Sequence, residues 1–282
     1  AERLRIGVLA CLRVPNALQA DDLALAAPHP LARAIAAVGE LGRLDLLERC
    51  RAFLMAEDEG VRFQAAWTVA LRQGDAAECR ALQGVATSRS RYASTAAQLV
   101  ARRLPLDEVG AWIEELATSH PRIAIQVARA AGDPGRLPWL LEQMASPDLA
   151  RVAGEAVSMI SGCDLAYLDL DGDPQSLDEE AEGFDPIAAQ AASQLPWPDR
   201  LKLSAWLRAQ SFPGGSRYLC GRPIDVAQCL QVLASGFQRQ RASAAIRLAL
   251  LQPAACLFNV AEPAHVQLKA FSALVQNQQH KP

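Results

Sequence analysis

Residues 167 to 186 read YLDLDGDPQSLDEEAEGFDP, eight carboxylates in twenty positions with no Lys or Arg among them. Alternating carboxylates of this kind can gather oxygens around Ca²⁺ when a glycine at the sixth position turns the loop and a Glu at the twelfth closes it. Asp169, Asp171 and Asp173 alternate correctly and Glu180 stands at position twelve, but Pro174 holds position six and Gly172 falls inside the triplet. The last ligand's spacing survives and the turn does not, so no calcium site is expected. The same charge can instead serve in recognition. From Val152 to Asp199 there are eleven acids and no base, while the rest of the chain carries a formal +8. An acidic segment set against a basic remainder is expected to contact basic groups, on this chain or on a partner. Asp169, Asp171, Asp173, Asp178, Glu179 and Glu180 are the candidate contact residues.

Other reactive side chains form no constellation. The four histidines, His29, His120, His265 and His280, fall in no HExxH or His-Glu motif, and His29 and His120 each precede a proline, where they read as turn residues. Ser204, Ser216 and Ser243 lack a GxSxG setting. The stretch PGGSRYLCGRP (213 to 223) has adjacent glycines and Arg217 but not the GxxxxGK[ST] of a phosphate loop. Seven cysteines without a CxxC pair read as small buried hydrophobes in a reducing compartment. No catalytic residue, no metal ligand and no cofactor is expected, and the chain is read as noncatalytic.

Half of the residues are apolar but only 5% are aromatic, so the apolar content is mainly Ala and Leu, the composition of closely packed helices. A formal charge of −3 gives no overall field for nucleic acid, and Arg outnumbers Lys 25 to 3 without a function attached to the excess. The apolar run Ile6 to Leu12 is minimal for a secretion signal, no run reaches the ~18 residues that span a bilayer, and a cytoplasmic location is expected.

A period positions these residues. The small side chain at Ala66, in VRFQAAWTVALRQGD, recurs at Ala34, Ala96, Ala124, Gly154 and Ala244, with first steps of 32, 30, 28 and 30 residues. Apolar residues three and four positions later share its helical stripe, so each small residue marks a face on which a neighbouring helix can approach closely. Gly42, Gly74, Gly132 and Gly162 follow as positive-φ helix ends, and Asp45, Asp75, Asp107, Asp133 and Asp164 as caps of a second helix. Five helix pairs are expected between residues 30 and 166, and further helices near 198 to 210, 224 to 235, 238 to 251 and 263 to 276. Such pairs cannot bury their apolar faces alone and must stack.

The small column and the Gly-Asp turns resemble HEAT repeats over about 30 to 166 and 224 to 252. From residue 121 onward, PRIAIQVARAAGDPGRLPWLLEQMASPDLARVAGEAVSMISGCDL, YLCGRP and RQRASAAIRLALLQPAACLF are similar to a group of uncharacterised bacterial HEAT-repeat proteins. The resemblance implies an all-α fold, an α-α superhelix (HEAT-like solenoid) interrupted by a long acidic loop. Four regions follow: an N-terminal helical segment or cap (1–29), HEAT-like repeats (30–166), an acidic irregular insertion (167–197), and C-terminal helical repeats with a cap (198–282). Leu104 in place of the third turn glycine, Pro253 near the sixth expected Asp, and Arg247 on the apolar stripe mark points of irregularity.

Members of that group tend to be encoded beside type VI secretion components, which implies a protein–protein interaction scaffold, an adaptor or immunity protein binding a secreted effector or secretion component. Trp112 and Trp139 fall on second helices, the row that usually lines the concave side of a HEAT array, and join the candidate partner-binding residues. The alternative is a HEAT-like enzyme acting on alkylated DNA bases. That enzyme needs a basic groove, whereas the first 151 residues carry 18 bases and 18 acids. A bilin-lyase role is weaker still, and no His motif matches the iron-binding HEAT hydroxylases.

Overall fold

The computed structural model describes residue 5 and residues 18–24, 27–74, 76–175 and 190–279. Over these residues the fold is all-α with long-range helix packing. The helices are α1 Pro28–Leu41, α2 Leu47–Arg51, α3 Glu59–Arg72, α4 Ala76–Ala86, α5 Ala93–Arg103, α6 Leu106–Ser119, α7 Pro121–Ala131, α8 Leu137–Gln143, α9 Pro147–Ser161, α10 Arg200–Arg208, α11 Val226–Ser235, α12 Gln238–Leu251 and α13 Ala264–Gln279. The β structure among the described residues is one hairpin, β1 Tyr218–Leu219 with β2 Arg222–Pro223, and an isolated bridge between Asp171 and Pro198. Among the described residues no helix is long and apolar enough to cross a membrane.

The chain divides into two compact units, one of residues 1–103 with 225–282 and one of residues 104–224. In the first, α1 packs on α3 and α3 on α5, with α4 between α3 and α5 in sequence and packed on both. Ala34, Ala66 and Ala96 are buried, as the small column requires. The α1–α3 approach is close enough that a Cβ on Gly39 would press on the Thr68 side chain, whose hydroxyl donates to Ile35 O at 2.9 Å.

The first unit is closed by its late helices. Pairs of a linear array touch only their sequence neighbours, yet α12 lies against α3 as well as against α11. The reason is visible at the helix ends, where the last carbonyls of a helix lack intrahelical partners. Arg72 is 2% exposed and donates Nε to Gly39 O (2.6 Å) and Nη1 to Pro253 O (3.1 Å) and Ala249 O (3.4 Å). One guanidinium thus joins the end of α1 to the end of α12. Burial lowers its pKa to about 10, which leaves it a cation at neutral pH, well placed against the negative ends of helix dipoles. Leu257 N adds a bond to Glu40 O at 2.7 Å. Arg103 repeats the device on α3, donating to Ala70 O (2.6 Å) and Leu71 O (2.9 Å). Arg247, the irregular member of the stripe, is buried and aims Nη1 at Arg102 O.

In the second unit α6 packs on α7, α7 on α9, and α8 on α9. Ala124 and Gly154 are buried. Gly154 meets Pro198 rather than another helix of the column, a Cβ there falling 2.9 Å from the proline Cγ. The hairpin covers the ends of α7 and α9: Tyr218 N donates to Gly132 O (2.7 Å), Cys220 N to Met159 O (2.8 Å) and Gly221 N to Ile160 O (2.9 Å). Arg217 donates to Ala131 O (3.0 Å) and to Leu104 O. Cys220 and Gly221 both have positive φ, the tight two-residue turn that suits paired strands.

The punctuation differs in part from expectation. Gly42, Gly132 and Gly162 take positive φ at helix ends, but Gly74 does not, because α3 ends at Arg72 and the chain already leaves the helix at Gln73, with φ −148°. Asp45 binds Arg43 instead of capping, Asp107 lies inside α6 behind Pro105, and Asp75 is outside the described residues. Asp133 caps only a 3-10 turn, through Gly135 N. The side-chain caps of α3, α10 and α11 are Asp58, Asp199 and Asp225.

Candidate interaction surface

The described part of the acidic segment is anchored before it turns outward. Leu165 and Leu170 are buried and joined by a bond from Leu170 N to Leu165 O at 2.8 Å. The residues between them are forced out: Tyr167 is 85% and Leu168 40% exposed. Asp169 reverses the chain with φ +55°, a conformation that Asp tolerates better than most residues. Its carboxyl is exposed and receives Lys202 Nζ at 3.1 Å, and the same ammonium reaches Asp171 O at 3.2 Å.

The counter-strand is residues 197–199. Gly172 N donates to Trp197 O and Asp199 N to Leu170 O, each at 2.9 Å. Trp197 is buried, with the Arg151 guanidinium 5.3 Å from its ring centre and Arg151 Nη1 on Leu195 O at 2.7 Å. Asp199 then caps α10 through Leu201 N (2.9 Å) and Lys202 N (3.0 Å). That cap fixes how α10 leaves the strand and leaves Leu201 76% exposed beside Lys202. Below the strand pair lies a hollow of about 420 Å³ lined by Met144, Asp173, Trp197, Asp199 and Arg200 among others.

Of the candidate residues, Asp169, Asp171 and Asp173 stand together on this surface, and Asp178, Glu179 and Glu180 lie outside the described residues. Trp112 is 7% exposed and belongs to the core of its unit, and Trp139 is half-buried on α8. Among the described residues no group of three or more His, Cys, Asp or Glu side chains could hold a metal ion. Tyr167, Leu168, Leu201 and Lys202 are not among the residues that the sequence singles out. Tyr167 and Leu168 stand in a stretch whose signal is its acidic charge, and the outward side of α10 follows from the Asp199 cap, a pattern that an aspartate before an RLKL run does announce.

No protein-family model matches the chain, and neither a curated protein nor a solved structure matches it. The class that fold and surface define is an all-α protein of packed helices, with Tyr167, Leu168 and Leu201 exposed on the same unit as the acidic turn.

Proposed function

We propose that the chain is a noncatalytic protein–protein interaction scaffold of the HEAT-like solenoid type, serving as an adaptor or immunity protein for a bacterial secreted effector. The observation that carries this reading is the exposure of the large apolar side chains of Tyr167, Leu168 and Leu201 on the unit that carries the acidic turn, because exposed apolar side chains near charge mark contact sites on proteins. The helix pairs supply a rigid frame for that surface, and the HEAT resemblance supplies the effector context.

Co-expression with the products of neighbouring genes tests the proposal. An adaptor binds a secreted protein and routes it, whereas an immunity protein binds a toxin and restores growth. Recovery of a specific partner at physiological salt supports the scaffold. Failure to recover one, together with release of bases from alkylated duplex DNA by the purified chain, would replace it with the enzymatic alternative.

A further inference from the structure

A cavity in the first unit carries chemistry that the scaffold reading does not use. α1 and α12 form its sides, and the segment 256–262 that follows α12 closes it around a volume of about 330 Å³. Ala242 and Ala245, three positions apart on one face of α12, leave that space open where larger side chains would fill it. Ile246 and the buried Phe258 extend the apolar wall. The covering segment is pinned to both helices. Leu257 N donates to Glu40 O at 2.7 Å and Cys256 Sγ lies 3.7 Å from Leu41 O, both on α1, while Gln238 Nε2 of α12 donates to Val260 O at 2.8 Å. The hollow is thus built into the folded unit, as small-molecule sites usually are.

Its polar side is set by α1. Arg33 and Glu40, two turns apart, form a forked pair with bonds of 2.9 and 2.6 Å, and Glu262 adds a second carboxylate to the lining. Two carboxylates against one guanidinium leave the lining net negative. The fork occupies one lone pair on each Glu40 oxygen, and a carboxylate oxygen has a second to offer another donor.

We infer that this cavity binds a small organic ammonium ion, a primary amine on a compact aromatic or branched aliphatic body, with the body against Ala242, Ala245 and Phe258 and the ammonium on Glu40. The volume equals that of roughly ten water molecules, room for a ligand of about ten non-hydrogen atoms. Charge selects among amphiphiles of that size. A carboxylate ligand would add a third negative charge and compete with Glu40 for Arg33, and a neutral one would gain apolar burial alone. An ammonium gains both, and inside a largely apolar hollow its attraction to Glu40 is screened less than on open surface.

The test uses the full chain and three probes of nearly equal size: 2-phenylethylamine, 2-phenylethanol and 3-phenylpropionate. A ligand-observed NMR titration near neutral pH should give the amine a Kd of about 0.1 to 1 mM, ordinary for so few atoms. The alcohol should bind about tenfold more weakly, and the phenylpropionate not at all. Glu40→Gln should weaken the amine about tenfold and admit the phenylpropionate to Arg33, which reverses the charge preference. Glutamine keeps the main-chain bond to Leu257, and unchanged thermal unfolding verifies that the variant folds. Ala242→Leu, which fills the hollow from its wall, should abolish binding of the amine. Equal affinity for amine and alcohol, a wild-type chain that prefers the phenylpropionate, wild-type amine affinity in either variant, or no amine binding at about 5 mM would each overturn the inference. None of these outcomes touches partner capture, so the scaffold proposal stands or falls separately.

Discussion

At the scale of single residues, the most consequential side chain is one to which composition assigns no role. Arg72 has no carboxylate partner among its hydrogen bonds; it spends its donors on main-chain carbonyls at two helix ends. Removing it strands those acceptors in the interior, so Arg72→Ala is expected to destabilise the protein by about 3 kcal/mol or more in urea unfolding. Asp45→Ala, which removes only the exposed carboxyl paired with Arg43, should cost well under half of that. The cysteines give a second prediction. Burial pushes the Cys50 and Cys229 thiols up to about 12, from an ordinary value of 9.0. In the unfolded chain these thiols ionise first, so their contribution is intact below about pH 9 and is lost as pH rises toward about 12. Stability in thermal unfolding should therefore fall steadily over that alkaline window, by about 1.4 kcal/mol per thiol for each pH unit, and Cys50→Ala should flatten the slope.

At the scale of elements, the sequence was most legible where a steric rule has a single solution. Recurrence of a small residue on an apolar stripe predicts helices, and α1, α3, α5, α7, α9 and α12 carry its members, while α10, α11 and α13 stand near the further helices expected at 198–210, 224–235 and 263–276. A glycine at a left-handed helix end is equally readable. Gly132 has φ +73° and a Cβ there would collide with the Tyr218 carbonyl, so Gly132→Ala should cost about 2 kcal/mol or more. Gly84, inside α4 with open space around it, is the control: Gly84→Ala should stabilise by about 0.5 to 1 kcal/mol. Caps were less legible, because Asp near a turn can bind a side chain, a turn amide or a helix amide with similar ease. Asp45 chose Arg43, whereas Asp58 caps α3 through Val61 N at 2.9 Å. Asp58→Ala is expected to cost about 1 kcal/mol, measured alongside Asp45→Ala, which removes no cap.

At the scale of the whole molecule, local pattern carried less. A period of about thirty residues shows that helix pairs stack, but it does not show where the order of stacking departs from the order of sequence. The return of α12 to α3 depends on guanidinium bonds spanning 177 and 181 residues, and on Gly42, whose missing Cβ makes room for the carbonyls of Ala254 and Ala255. Gly42 belongs to the recurring turn glycines, but neither long-range guanidinium bond has a periodic signature. Ala244→Leu probes the closure, since the added side chain has no space in a fully buried position. Faster hydrogen exchange is expected in α3 as well as in α12; a change confined to α12 and α11 would mean that the late helices fold apart from the early ones.

The first unit takes its two halves from opposite ends of the chain, and this sets a timetable for synthesis. Residues 104–224 have every partner of their unit at hand once they leave the ribosome, whereas α1 and α3 must wait for α12, which is translated much later. A nascent chain arrested shortly after residue 224 has emerged should thus yield a protease-resistant middle flanked by a labile leading portion, so the part made first is the part finished last.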